Sequence, residues 1–508
     1  MGLSIGIDLG TSNSTAAVYR RGKVESIPIE GKKVLPSVVS YKDNGQILVG
    51  HSAKARLYID PQNTVSSSKR FIGDSNKQYH IHNKALTPVD IAQEILKKIK
   101  TEASKYLGEE VKNAVITIPA YFTDEQREAT KKAGELAGFN VLRLLSEPTA
   151  AAIAYGLDKE RNQTIMVYDL GGGTFDVSIL KVEGNSFEVE AVDGDSLLGG
   201  DDFDEKIMNY LLNNVSNGAA ANQMSPGSLS MQRLKEAAEE AKKELSESDF
   251  TDISIPDIFG THIDEEVDVE TFNKMIQPLL ERTINKINEV LKEADLTKRD
   301  ISRVILVGGS TRMRAVQEAV TQNIKKPYIA DNVDEIVAQG AAIMAANLSA
   351  PSIDAAPVPI EVKDVTAHSL GIGLYNQNDE YRIFHLIEKN TSIPCMGANI
   401  GSTRFPNQTG VELPVYRTED YLPQDKDLLG ELVLPVTPKK ELTPVISLFE
   451  LDVDGILTFS SAELSPNAFL VEKYLQTGEV DLIKLKDMIQ NNELKIKKIV
   501  IDTNKQEA

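Results

Sequence analysis

The chain has 508 residues, 41% of them hydrophobic, and a formal net charge of −20. It is long enough for two or more cored domains and too apolar to be read as disordered. The acidic balance argues against a nucleic-acid or anionic-membrane surface, which needs a concentrated basic face, but leaves room for a local phosphate pocket.

The opening "MGLSIGIDLG" has no charged leader and no cleavable apolar segment, so no secretion signal is expected. Gly6 stands where the myristoylation pattern needs Ser or Thr. No apolar run reaches bilayer length. Cys395 is the single cysteine, so no internal disulfide can form, and it reads as a small buried hydrophobe rather than a nucleophile. A cytoplasmic setting is expected.

In chain order, "IGIDLGTSNSTAAV" gives an apolar strand, Asp8, a glycine turn and a small-residue return strand. "TPVDIAQEILKKIKTEASKYLG" places Ile91, Ile95 and Ile99 at helical spacing behind Thr87-Pro88. "AVITIPAYF", Ala114 to Phe122, has the composition of a strand buried on both faces. Thr123 and Gln126 then have capping-box spacing, and Gly138 sits where that helix would stop. "MVYDLGGGTFDVSIL", Met166 to Leu180, repeats the opening pattern, which predicts two related lobes facing one cleft. "VILVGGSTRMRAVQEAV" is another buried strand, glycine turn and helix. The alternation predicts an α/β domain over residues 1–350. A segment rich in Ala, Pro and Ser follows, and 351–365 reads as a linker. Short alternating strands, with a hairpin turning at Asp454-Gly455, predict a mainly β domain over 366–464. The tail, 465–508, is short, and its "LIKLKDMIQNNELKIKKIVID" fits helix or strand.

Two buried strands interrupted by a carboxylate and glycines need a reason. A phosphate chain is held by backbone N–H groups that approach closely, which a Cβ would block. Gly171, Gly172 and Gly173 allow that approach, as do Gly10, Thr11 and Ser12 in the first copy. Nucleotide phosphates arrive with Mg²⁺, a hard cation that keeps several waters, and Asp8, Asp169 and Asp176 can serve the metal or those waters. A single "DLGGGT" is as well explained by an ordinary hairpin, and the duplicate favours the phosphate reading. No G-x-x-x-x-G-K-[ST] segment occurs, so this is not a P-loop protein. The turn "VGGSTR", Val307 to Arg312, suits a base and ribose face, with Arg312 stacking on a purine. In "RLKEAAEEAKKELSES", helical spacing puts Glu239, Lys242 and Ser246 on one face, which alone reads as solvated.

The stretches "IGIDLGTSNS", "AVITIPAYFTDEQREAT", "LLSEPTAAAIAYG", "YDLGGGTFDVSIL", "LGGDDFD", "RLKEAAEEAKKELS", "ILVGGSTRM" and "DEIVAQGAAI" resemble, in order, the ATPase-domain motifs of the seventy-kilodalton heat-shock chaperone family, heat shock protein 70. The resemblance covers Met1 to Leu348. It implies an actin-like, two-lobed α/β ATPase domain around an ATP cleft, followed by a β-sandwich substrate-binding domain behind a linker. It also implies slow ATP hydrolysis that switches the β domain between open and closed states on an extended apolar polypeptide. The implied cofactors are ATP or ADP and Mg²⁺, with K⁺ as a further cation. Implied partners are unfolded polypeptides and a J-domain co-chaperone, with no nucleic acid and no membrane.

The same resemblance assigns roles. Gly10, Thr11, Ser12 and Asn13 line the phosphates from one lobe, and Gly171, Gly172, Gly173 and Thr174 from the other. Lys69 reaches the γ-phosphate, Glu147 orients or deprotonates the attacking water, and Asp169 sits beside metal and water. With Thr174 these are the implied catalytic residues. Asp8 and Asp176 join Asp169 at the metal. Gly199, Gly200, Glu239, Lys242, Lys243, Ser246, Gly308, Gly309, Ser310, Arg312 and Asp334 form the adenosine side. Pro119, Arg127 and Arg143 match relay positions.

Four departures qualify these expectations. Glu361 and Lys363 break the family's apolar linker, and Ala367 and His368 replace proline and an apolar residue, which implies weaker or differently controlled docking. Arg314 stands where proline is usual. The stretch between Ser246 and Thr271 is shortened, which puts a nucleotide-exchange partner in question. The tail is too short for the family's helical lid, which implies fast peptide exchange. Alternative readings are an ATP-switched adaptor without peptide binding, a sugar- or acetate-kinase-like phosphotransferase, and an actin-type filament protein.

Overall fold

The computed structural model describes residues 3–156, 162–215, 229–258, 261–329, 332–349, 359–376, 378–491, 493–494 and 497–499. The chain divides into two compact units, 1–363 and 364–508.

The first unit is built on two sheets of the same design. In one, the strand Leu3–Leu9 is flanked by its antiparallel return Asn13–Arg20 and by the parallel strand Val111–Ile118. Asn140–Ser146 lies parallel beyond, and Lys23–Ser26 closes the other side. In the other, Gln163–Leu170 takes the central place, with Phe175–Glu183 antiparallel and Arg303–Val307 parallel. Tyr328–Ile329 and Ser186–Asp195 occupy the corresponding outer positions. The internal echo of the sequence is thus a repeated strand order, and the two sheets define two lobes.

Helices cover the sheets where apolar periodicity places them. Pro88–Leu107 buries Ile91, Ile95 and Ile99, and its N-cap Thr87 exchanges hydrogen bonds with Asp90. Asp124–Leu136 is capped by the Thr123–Gln126 box, and Gly138 behind it has φ +86°. Two helices are apolar nearly all round, as buried helices are: Glu147–Gly156 and Ile336–Ser349. They touch where Gly340 leaves no room, since a Cβ there would lie 1.8 Å from the Ala150 carbonyl oxygen. Gly6 does the same for the strand below, with Ala342 N 2.0 Å from where its Cβ would be.

The segment read as linker ends as a strand, Glu361–Val365. Within the first unit, Glu361, Val362 and Lys363 run parallel to Ser186, Phe187 and Glu188. Alternation puts Val362 on one face and the charges on the other, and Lys363 Nζ lies 3.8 Å from Glu188. Residues 351–358 of the expected linker lie outside the described residues.

The second unit contains two four-stranded antiparallel sheets. Their facing side chains, among them Ile372, Leu413, Val415, Phe449 and Phe459, form one core. Pro444–Leu451 and Leu457–Glu463 pair across the turn at Asp454-Gly455, with Gly455 at φ +73°. The tail resolves its ambiguity by doing both: Leu482–Gln490 is helical and Lys497–Ile499 is a strand. Phe469–Thr477 and Leu482–Gln490 bury Leu470, Val471 and Leu485 against Ile400, Ile446 and Leu448 on the outer sheet face. That second apolar face explains why "PVISLFEL" is hydrophobic on both sides. Cys395 is half-buried, and burial pushes its thiol up to about 11, which matches the inert reading.

Candidate active site

Each lobe presents one hairpin turn to a cleft of about 650 Å³, a size that suits a nucleotide. The turns meet at van der Waals range. A Cβ on Gly172 would lie 2.0 Å from Ser12 Oγ, and one on Gly173 would lie 2.7 Å from Thr11 Cγ2. Bulk on the first turn faces its absence on the second, so these glycines are required by contact between lobes as well as by backbone access. Ser37 Oγ donates to the Gly10 carbonyl at 2.7 Å, and Ser310 Oγ to the Gly171 carbonyl at 2.9 Å. These hydroxyls tie both carbonyls back into their own surroundings.

Acidic side chains form the cleft floor. Asp169 and Asp176 are direct cross-strand neighbours in their hairpin. Asp8 accepts from Thr117 Oγ1 at 3.2 Å, and Asp176 from the Tyr121 N–H at 2.9 Å. Glu147 begins the buried helix Glu147–Gly156, where a helix N-terminus favours a carboxylate. Lys69 Nζ meets its Oε1 at 2.7 Å, and both side chains are nearly sealed from solvent. Burial, then the charge of Glu147, pushes Asp8 and Asp176 up to about 7. Asp169 is raised for the same two reasons, with Asp176 and Asp8 adding to it.

Four carboxylates, three of them buried and that of Asp8 half-buried, against one ammonium leave an excess of negative charge, an arrangement that a divalent cation relieves. Among the described residues, no three His, Cys, Asp or Glu side chains converge closely enough to ligate one ion together. The donor set therefore fits Mg²⁺ held largely through its own waters.

On the far side, Arg312 forks onto Asp334 at 3.1 and 2.7 Å. Thr15 Oγ1 donates to the Asp334 carbonyl at 3.2 Å. Lys54 of the first lobe lies 3.5 Å from Glu239 of the second, and Lys243 also pairs with Glu239. Burial alone would raise Glu239, but Lys243, Lys54 and Lys242 hold it down at about 2. Lys242 is spoken for: its ammonium binds buried Asp204 at 2.7 Å and the Gly200 carbonyl at 3.0 Å. Ser246 Oγ donates to the carbonyl of Lys242.

The cleft thus gathers nearly all the residues expected there. Gly173, Gly199 and Asp176 stand behind its wall. A Cβ on Gly199 would fall 2.4 Å from Gly173 N, so that glycine backs the phosphate turn. Sequence reasoning missed Ser67, Arg70, Asp201 and Asp202, which bridge the lobes. Their signals were adjacency: Arg70 follows Lys69, and the two aspartates sit inside "LGGDDFD".

Comparison with known proteins decides the family. The model of the family described as Hsp70 protein matches residues 4–84 and 74–506. The chain belongs to the Hsp70 family. A chaperone protein dnaK of Cyanidium caldarium is 42% identical over 491 residues, covering 90% of this chain and 78% of that protein. Hsp70 membership brings with it ATP-dependent chaperone activity, and hence an ATPase. Among the described residues, no helix of this Hsp70 is long and apolar enough to cross a membrane.

Proposed function

We propose that the cleft binds ATP or ADP between the two glycine turns, hydrolyses ATP slowly, and uses that cycle to control the grip of residues 366–464 on extended apolar polypeptide segments. The observation that carries this reading is the contact of Gly172 and Gly173 with Ser12 and Thr11 above a floor of Asp8, Asp169 and the Lys69–Glu147 pair. Two inward-facing turns enclose a phosphate chain from both sides, and the chemistry then rests on positioning and charge.

In this reading the backbone N–H groups of Gly10 to Asn13 and Gly171 to Thr174 hold the phosphates. The Lys69 ammonium takes the γ-phosphate charge, and its 2.7 Å contact holds the Glu147 carboxyl group in place. Glu147, with Asp169 beside it, orients the attacking water and accepts its proton. Asp8, Asp169 and Asp176 would hold the waters of Mg²⁺, which supplies charge neutralisation at the phosphates. Glu239, Lys243, Ser246, Arg312 and Asp334 flank the adenosine, and Lys242 serves that side by bracing Gly200. The β unit captures peptide by backbone hydrogen bonds and an apolar pocket, a strand-in-groove mode. A J-domain co-chaperone, a cytoplasmic setting and the relay through Pro119, Arg127 and Arg143 belong to the same proposal.

The test is ATP turnover with and without an unfolded peptide, in the natural chain and in Thr174→Ala. Peptide should accelerate the natural chain, and Thr174→Ala should turn over slowly in both conditions. A rate indifferent to peptide would reduce the protein to an ATP-switched adaptor.

A further inference from the structure

The 3₁₀ turn Ser68–Phe71 carries Lys69 into the cleft. Its neighbours do something else: they tie the turn to the opposite lobe. Arg70 Nη2 donates to both carboxylate oxygens of Asp202 at 3.2 Å, and Nη1 lies 3.8 Å from Asp201. Ser67 Oγ donates to Asp201 Oδ2 at 2.9 Å. Ser67 holds φ at +53°, a left-handed conformation that costs a non-glycine residue energy and persists where surroundings impose it.

The far end of the tie is anchored in the phosphate turn. Asp202 also accepts the Gly199 N–H at 2.7 Å. The N–H groups of Gly200 and Asp201 donate to the carbonyls of Gly171 and Gly172 at 2.9 and 2.8 Å. Arg70 lies along this path, with its Cγ 2.8 Å from where a Gly173 Cβ would be. One short route therefore runs from the Lys69 turn, through Arg70 and Asp202, into Gly171–Gly173. The charges are mostly screened from water, with side-chain exposures of 15% for Arg70 and 19% for Asp202, so the pair is stronger than a surface ion pair.

We propose that Arg70 is a positioning residue for the ATPase reaction: by clasping Asp201 and Asp202 it holds the lobes at the separation that places the Lys69 ammonium opposite the phosphate turn. The inference rests on the nucleotide site proposed above. It makes lobe closure and Lys69 placement one event. Opening the clasp frees the nucleotide and withdraws Lys69 together.

The test uses the full chain with Arg70→Met, Asp202→Asn, both together, and Arg70→Lys. Asparagine keeps an acceptor for the Gly199 N–H while removing the charge. Three quantities are read: release of a fluorescent ADP analogue with magnesium, single-turnover ATP hydrolysis, and amide hydrogen exchange at Gly171–Gly173 without nucleotide. Each single variant should speed release and slow hydrolysis by about tenfold, the loss of one charge-assisted contact, and should raise exchange at the turn. The double variant should be no worse than the poorer single one, because both break the same contact. Arg70→Lys should recover part of the loss. Hydrolysis lost with release and exchange unchanged would overturn the proposal, as would additive effects in the double variant. A natural chain that fails to hydrolyse ATP would sink the site assignment instead, and the exchange measurement would still decide the clasp.

Discussion

Crowding four acids around one lysine is unfavourable to the empty protein and useful to the loaded one. Asp169 faces burial and three like charges. Asp169→Asn should raise the stability of the nucleotide-free chain by about 0.5–2 kcal/mol while slowing hydrolysis. Thermal melts and single-turnover rates check this, and a lowered melting point would refute it. The same crowding sets a pH dependence. Asp8 and Asp176, raised to about 7, keep protons in the folded chain that the unfolded chain gives up near pH 4. Their contribution to stability is complete below about pH 4 and disappears as pH rises through 7. Magnesium with ADP favours the ionised carboxylates, so its stabilising shift in melting temperature should be larger at pH 8 than at pH 6. Equal shifts at both values would contradict the electrostatic account. Lys69→Met leaves Glu147 buried without its partner and should cost about 3–5 kcal/mol by urea titration, beyond the loss of turnover.

At the level of elements, close approach decides more than propensity does. Gly340 lies against Ala150, so Gly340→Ala should force the two buried helices apart and destabilise the first unit by about 1–3 kcal/mol. Circular dichroism during denaturation reads this, and an unchanged midpoint would count against tight packing there. Much of this architecture was legible beforehand. Thr87, Thr123 and Gly138 announced their helices because caps act locally, and the paired Asp-Leu-Gly turns announced the two related hairpins. Other features stayed hidden because they depend on partners distant in the chain. Lys69 carries no local signal of its own, because its partner Glu147 is 78 residues away. Arg70 gave no periodic or motif signal, since its meaning lies in Asp202, 132 residues downstream. The tail could not be read because its apolar residues face a sheet assembled from other strands.

For the molecule as a whole, two compact units imply two unfolding events. Leu485→Ala removes a fully buried side chain from the helices on the β unit and should lower that unit's transition by about 2–5 kcal/mol. The transition of the first unit, followed by nucleotide-dependent stabilisation, should stay in place. A single merged transition moved by the substitution would show the units to be thermodynamically inseparable. The repeated strand order carries a different implication. Two halves of like construction approach each other about a common centre, yet a nucleotide has a sugar at one end and a phosphoryl group at the other. Such a guest cannot treat both halves alike, so their equivalence has to be given up where they touch. It is given up side chain by side chain: hydroxyls project from Thr11 and Ser12, and nothing projects from Gly172 and Gly173. Exchanging the roles of Ser12 and Gly172 would ask whether handedness at this seam belongs to the protein or is dictated by what it encloses.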